Sequence, residues 1–248
     1  MSDTQRILVF GATSAICHEV LKHYATQGTT FFITGRNAER LDAIGQDLCA
    51  RGGIIAGQAA YDFNDWAQHE PVIGQAREAL GAIDLALVAH GSLPEQSQCE
   101  QSDAAVWACV QDNFASAAII IHGCARVLDE QGKGSLAVIS SVAGDRGRKS
   151  NYTYGATKAG LDALLQGLQG RFAGTAVKVI NIKPGMVHSP MTEGMGDGLL
   201  WATPQAIAPT IISAISKGKR LCYVPGYWRL VMLVIRALPT TILAKLPI

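Results

Sequence analysis

The sequence predicts an α/β fold: a doubly wound, parallel seven-stranded sheet with helices on both faces, in a single domain spanning residues 1–248. Three observations predict it. Short β-rich runs alternate with longer helical patterns along the chain. The 248 residues, 48% of them apolar, are enough for one large core and too few for two comfortable ones. No internal repeat or low-complexity linker divides them.

The first strand is expected at residues 7–10 (Ile-Leu-Val-Phe), followed by a helical pattern over 16–27. Strands at 30–34, 54–61 and 85–89 alternate with helices at 38–50 and 66–80. A long helical pattern over 104–128 leads to a strand at 136–140, a helix at 152–172 and a strand at 177–182. A helix at 205–216 and a strand at 221–224 complete the alternation. Right-handed crossovers then place the ligand crevice beyond the carboxyl ends of the strands.

The net charge of +1 gives no reason to expect nucleic acid as a partner. The total hides an asymmetry. After Asp197 there is no acidic residue, whereas Lys217, Lys219, Arg220, Arg229, Arg236 and Lys245 follow; the preceding part holds 15 basic against 20 acidic residues. The six cysteines show neither a C-x-x-C pair nor metal-ligand spacing, so reduced structural thiols and no metal are expected. The polar start, residues 1–6, lacks an export signal, and no run reaches the roughly 18–20 apolar residues of a spanning helix, so a cytoplasmic location is expected.

The chemistry-bearing residues fall at strand ends. Gly11-Ala12-Thr13-Ser14-Ala15-Ile16-Cys17 is a tight turn feeding a helix, whose free N–H groups and dipole suit a pyrophosphate. Arg36, after the second strand, offers a planar charged fork for phosphate. Tyr154 and Lys158, at i and i+4, share one helical face, and a lysine charge close to a phenol favours the phenolate, making a tunable proton donor and acceptor. Ser141, thirteen residues before Tyr154, supplies a hydroxyl at a neighbouring strand end.

Taken together these motifs resemble the classical short-chain dehydrogenase/reductase family over nearly the whole chain. The resemblance implies a Rossmann-type fold and hydride transfer between a nicotinamide and a ketone or secondary alcohol. It implies a catalytic set of Asn113, Ser141, Tyr154 and Lys158. The implied cofactor residues are Gly11, Thr13, Ser14, Ala15, Ile16, Arg36, Asp62, His90, Gly91, Tyr154, Lys158, Pro184, Gly185, Val187 and Ser189. Asp62 matches the adenine-contacting aspartate, Pro184-Gly185 the turn that passes the nicotinamide, and Ser189 the usual threonine. Arg36, where many members carry an aspartate, points to NADP(H) in preference to NAD(H). The glycine loop departs from T-G-x-x-x-G-x-G by carrying Phe10, Ala15 and Cys17, and His90-Gly91 stands where N-N-A-G ends with an alanine and a glycine.

Residues 186–204, rich in glycine and methionine, are expected to form a lid over the substrate. The segment 227–248 is apolar and basic and either packs on the body, fills a subunit interface or meets lipid. With the Ser141–Arg146 and Tyr154–Asp162 stretches, this ending is similar to members that reduce decaprenylphosphoryl-2-keto-ribose. That likeness implies a lipid-linked keto-sugar and peripheral contact with the inner face of a membrane. A general ketone or 3-oxoacyl-thioester reductase is the alternative, and an NADP(H)-binding regulator without catalysis a second. A homodimer or homotetramer is expected, as is common in the family.

Overall fold

The computed structural model describes residues 5–246; the ends of the expected amino-terminal and carboxyl-terminal segments, 1–4 and 247–248, lie outside the described residues. In chain order the elements are β1 (Arg6–Phe10), α1 (Ala15–Ala25), β2 (Thr30–Gly35), α2 (Ala38–Ala50), β3 (Ile54–Ala60), α3 (His69–Leu80) and β4 (Leu85–Val88). There follow α4 (Gln96–Gln101), α5 (Asp103–Val110), a π-helical turn (Gln111–Ala115), α6 (Ser116–Gln131), β5 (Lys133–Ile139), α7 (Tyr152–Arg171) and β6 (Ala176–Pro184). The remainder is β7 (Met186–Val187), β8 (Trp201–Ala202), α8 (Pro204–Ser216), β9 (Leu221–Val224), α9 (Trp228–Ala237) and α10 (Thr240–Leu243).

Seven strands form one sheet in the order β3-β2-β1-β4-β5-β6-β9, with every neighbouring pair parallel. The order reverses at β1, so the strand ends on either side of it diverge and open a crevice. Because side chains alternate across a strand, Ile7 and Val9 enter the core shared with Val20 of α1, Leu48 of α2 and Ile211 of α8. Leu8 and Phe10 enter the opposite core with Ile73 of α3, Ile121 of α6 and Leu165 of α7. Both faces of the sheet are therefore dry, and each of these fully buried side chains contributes about 1.5–3 kcal/mol of burial.

The expected elements are all present, with shifted ends. The helix expected at 104–128 is longer, running from Asp103 to Gln131 with the π-helical turn in its middle, and it ends at Gly132 with φ 74°. By length and composition alone this run could cross a membrane. It packs instead on the sheet through Ile120, Ile121, Cys124 and Leu128. The helix α4 had no signal in the periodicity. The first helix begins at Ala15, one residue earlier than expected, which places the glycine turn directly against its first turn.

Candidate active site

The carboxyl ends of β1, β2, β4, β5 and β6 meet in a cleft of about 330 Å³. The turn after β1 forms its first wall. Gly11 has φ +84°, and a Cβ there would lie 2.7 Å from the His90 backbone nitrogen, so both conformation and space demand glycine. Ser14 precedes α1 without capping it by its side chain, which leaves the N–H groups of the first turn turned toward the cleft. Among the described residues no non-glycine has positive φ, so Ala15 and Cys17 adopt this turn without strain, and Cys17 is completely buried beneath it.

At the end of β2, Arg36 and Arg40 both line the cleft, one helical turn apart across the Asn37 cap, whose side chain accepts from the Arg40 N–H at 2.8 Å. Arg36, Asp62, Phe63, His90 and Gly91 converge at this end. His90 is held by Ser116 at 3.0 Å and by the Phe63 ring at 4.6 Å, and burial drives its pKa down to about 3. It is thus a neutral residue of the cleft wall.

The catalytic candidates come together from three places: the π-helical turn, the end of β5 and α7. The π-helical turn aims Asn113 inward, where it is 0% exposed. Its Nδ2 donates to the Cys109 carbonyl at 3.0 Å and its Oδ1 accepts from the Ser92 N–H at 3.1 Å. Asn113 Oδ1 and Lys158 Nζ meet over Gly91: a Cβ there would lie 2.7 Å from the first and 3.3 Å from the second. Ser141 follows β5 and accepts from the Ala143 N–H at 3.1 Å, and it lies close enough to the Tyr154 phenol to influence its ionisation.

Tyr154 and Lys158 sit on one face of α7, the ammonium 5.4 Å from the ring centroid. Burial pushes the phenol up to about 12, against the opposing influence of the Ser141 hydroxyl and the Arg148 charge. Burial likewise takes Lys158 down to about 8. In the free cleft Nζ lies over the ring, and desolvation of the phenolate outweighs the charges nearby. At neutral pH the pair is a phenol and an ammonium.

Pro184, Gly185, Val187 and Ser189 line the opposite wall. Ser189 is set by Thr192, whose Oγ1 accepts from the Ser189 N–H at 3.1 Å. Gly185 is shut in by Trp228, since a Cβ there would lie 1.9 Å from the indole Nε1. The 186–204 segment overhangs the cleft, pinned at its base by the β7–β8 pair, with Met191 and Met195 lining the opening.

The family model for short chain dehydrogenases matches residues 5–199. The chain belongs to that family. This short-chain dehydrogenase is 34% identical over 241 residues to an uncharacterized oxidoreductase of Mycobacterium tuberculosis, covering 97% of this chain and 96% of the relative. It is also 34% identical over 241 residues to an uncharacterized oxidoreductase of Streptomyces coelicolor, covering 97% and 95%. Its fold superposes on levodione reductase with a TM-score of 0.82 at 18% identity, covering 91% of this chain and 98% of the other. A dehydrogenase from Burkholderia cenocepacia solved with bound NADP gives a TM-score of 0.78 at 17% identity, covering 89% and 91%. Family and relatives together make the chain an oxidoreductase.

In this short-chain dehydrogenase the uncapped α1 terminus, the Gly11 cradle and the Arg36 fork fit a phosphorylated dinucleotide. All the expected cofactor residues border the cleft or its small annex; Asp62 belongs to the annex alone, where its Oδ1 accepts from the Asn64 N–H at 3.0 Å. Sequence reasoning missed Arg40, Arg148, Asn151 and Thr192, which line the same cleft. Arg40 was findable, being at i+4 from Arg36. It also missed a buried charge network beneath the catalytic helix. Lys183 pairs with Asp145 and, at 2.5 Å, with Asp162; Asp162 also accepts from Ser140 at 2.9 Å and Asn181 at 2.8 Å, and Tyr223 donates to Asp145 at 2.8 Å. These partners are 19 to 78 residues apart in sequence, so no local spacing announces them.

Proposed function

We propose that this short-chain dehydrogenase is an NADP(H)-dependent reductase of ketones, working reversibly on the corresponding secondary alcohols. The observation that carries the reading is the convergence of Ser141, Tyr154 and Lys158 on the cleft that the Gly11 turn and the Arg36–Arg40 pair open at its other end, with Asn113 buried behind Gly91 beside the Lys158 ammonium. Bound cofactor supplies or takes up the hydride at its nicotinamide ring. Ser141 orients the substrate oxygen through its hydroxyl. Tyr154, a phenol at neutral pH, donates its proton to that oxygen as the carbonyl is reduced and recovers one afterwards. Lys158 holds positive charge beside the phenol as it loses the proton, and Asn113 fixes the surroundings of the ammonium across Gly91.

The preference for NADP(H) rests on Arg36 and Arg40, which both line the cleft, Asp62 and Asp112 entering only the small annex beside Arg36. The Burkholderia structure with bound NADP supports the reading by likeness of fold. Titrating NADPH and NADH against the protein and against Arg36→Ala tests it. Loss of one charge-assisted contact should weaken NADPH by about 1.5–3 kcal/mol and leave NADH little changed. Tighter NADH binding by the unaltered protein would overturn it.

One observation favours a lipid-linked keto-sugar over soluble ketones or acyl thioesters. Helix α9 buries Trp228 and Met232 against Val142 of the catalytic loop, yet turns Leu230 (67% exposed), Leu233 (64%) and Val234 (61%) outward. With Arg229 and Arg236 exposed beside them, this apolar, basic face suits an anionic membrane surface next to the cleft mouth. The tether from the Tyr227 hydroxyl to the Leu200 carbonyl, at 3.0 Å, joins that helix to the overhanging segment. We place the protein in the cytoplasm with peripheral contact at the inner face. Sedimentation with phosphatidylglycerol vesicles is the test: intact protein should bind in a salt-sensitive way and Leu233→Glu should not.

A further inference from the structure

We propose that Arg148 is an oxyanion subsite at the substrate end of the cleft, so that the carbonyl compound carries a phosphate or carboxylate group. The proposal rests on the reductase reading above and names the substrate class for that same site. Arg148 lies in the loop between Ser141 and Tyr154, and its side chain lines the cleft. Its Nε is buried without a hydrogen-bond partner, and among the described residues its guanidinium makes no hydrogen bond or ion pair.

The surrounding charges are spent elsewhere. Arg146, two residues earlier, donates to Thr240 Oγ1 at 3.0 Å and so pins the C-terminal segment. Asp145, the carboxylate whose field acts on Arg148, is committed to Lys183 and Tyr223. A partly desolvated guanidinium with no directly paired carboxylate costs free energy that a ligand oxyanion would offset.

The cofactor does not account for it. The residues lining the cleft include four bases and no acid: Arg36, Arg40, Lys158 and Arg148. Arg36 and Arg40 follow β2, three strands from β5 and hence roughly 14 Å away by strand spacing. Lys158 sits under the reacting centre. Arg148 remains: it is close enough to Tyr154 for its charge to act on the phenol, and it lines a cleft that also carries the apolar side chains of Leu93, Val142, Met191 and Met195. Asn151, whose Oδ1 is also buried without a partner, lines the same wall and offers an acceptor to a substrate hydroxyl.

The test compares three ketones of matched chain length, one bearing a phosphate ester, one a carboxylate and one neutral, using the full-length protein with NADPH, Arg148→Met and Arg148→Lys. Arg148→Met should lower the ratio of kcat/KM for a charged ketone to that for the neutral one by about 10- to 100-fold. Arg148→Lys should recover part of it. The charged ketone that loses more identifies the phosphate or the carboxylate source. Binding of the three product alcohols to the NADP⁺ complex, by calorimetry, gives a readout independent of turnover. An unchanged ratio in a folded Arg148→Met protein would overturn the subsite and leave the reductase reading standing. Anion-dependent alcohol binding that is lost in Arg148→Met, without hydride transfer to any ketone, would support the subsite and sink the reductase reading.

Discussion

At the residue scale, the shared ends of Tyr154 and Lys158 on α7 were legible from the i, i+4 spacing, but their protonation was not, because it depends on burial that no spacing reports. Tyr154 is 9% exposed and Lys158 3%, and both have lost the water that would hold their charged forms. Tyr154→Phe should lower kcat by about 10²- to 10⁴-fold while NADPH binding, followed by fluorescence, persists. Turnover near normal in that variant would remove the tyrosine from the mechanism. The pH dependence follows from Lys158. With its folded pKa at about 8, below the ordinary lysine value, the buried ammonium costs stability below pH 8, and that cost is relieved as pH rises toward the ordinary value. Relative to Lys158→Met, the native protein should therefore gain stability between pH 8 and 10, read from urea midpoints. The same deprotonation removes the charge beside the phenol, so reduction should fall with an apparent midpoint near pH 8. A fall appearing only in the range of a free tyrosine would place the titrating group elsewhere.

At the scale of elements, strands and helices were readable because hydrophobic runs of two periods alternate along the chain, and right-handed crossovers imply a doubly wound sheet, while the order of its strands is seen only in the structure. The π-helical turn that aims Asn113, by contrast, adds one residue to a turn of helix and leaves no mark on the apolar pattern. Equally hidden is the network joining β5, α7, β6 and β9 through Ser140, Asp162, Lys183, Asp145 and Tyr223. Lys183 and both its carboxylates are almost completely removed from water, their side chains being 4–8% exposed. Lys183→Met leaves two buried carboxylates without their cation and should destabilise the fold by about 3–5 kcal/mol in chemical denaturation. A loss below about 1 kcal/mol would mean that the network is solvated enough to relax. On the first wall, Gly11→Ala would force a Cβ against the backbone of His90 as well as an unfavourable φ. It should weaken NADPH binding and lower the melting temperature together.

At the scale of the molecule, the family model ends at residue 199 and the cleft lining at Met195, yet Trp228, beyond both, packs behind Gly185 of the cleft wall. The C-terminal segment was legible as apolar and basic but not in its division of labour, with one face of α9 against the catalytic loop and the other outward. The small-residue surface of α7 is also divided: Gly160 is taken by Phe114 of its own chain, while Ala156, Ala159 and Ala163 are exposed, as are Tyr152 at the start of the same helix and Trp107 of α5. We expect a second copy to cover this face, with light scattering giving a dimer or tetramer and Ala159→Arg a smaller species; a monomeric native protein at all working concentrations would oppose it. The contact between Trp228 and Gly185 has a different consequence. The indole occupies the volume that any larger residue at position 185 would need, so the two positions form a lock and its keyhole, 43 residues apart in the chain. Gly185→Ala alone is overfilled and Trp228→Leu alone is hollow, and the double substitution should cost less than the sum of the two. The tail of the chain thereby limits which side chains the turn at the reacting end can ever carry.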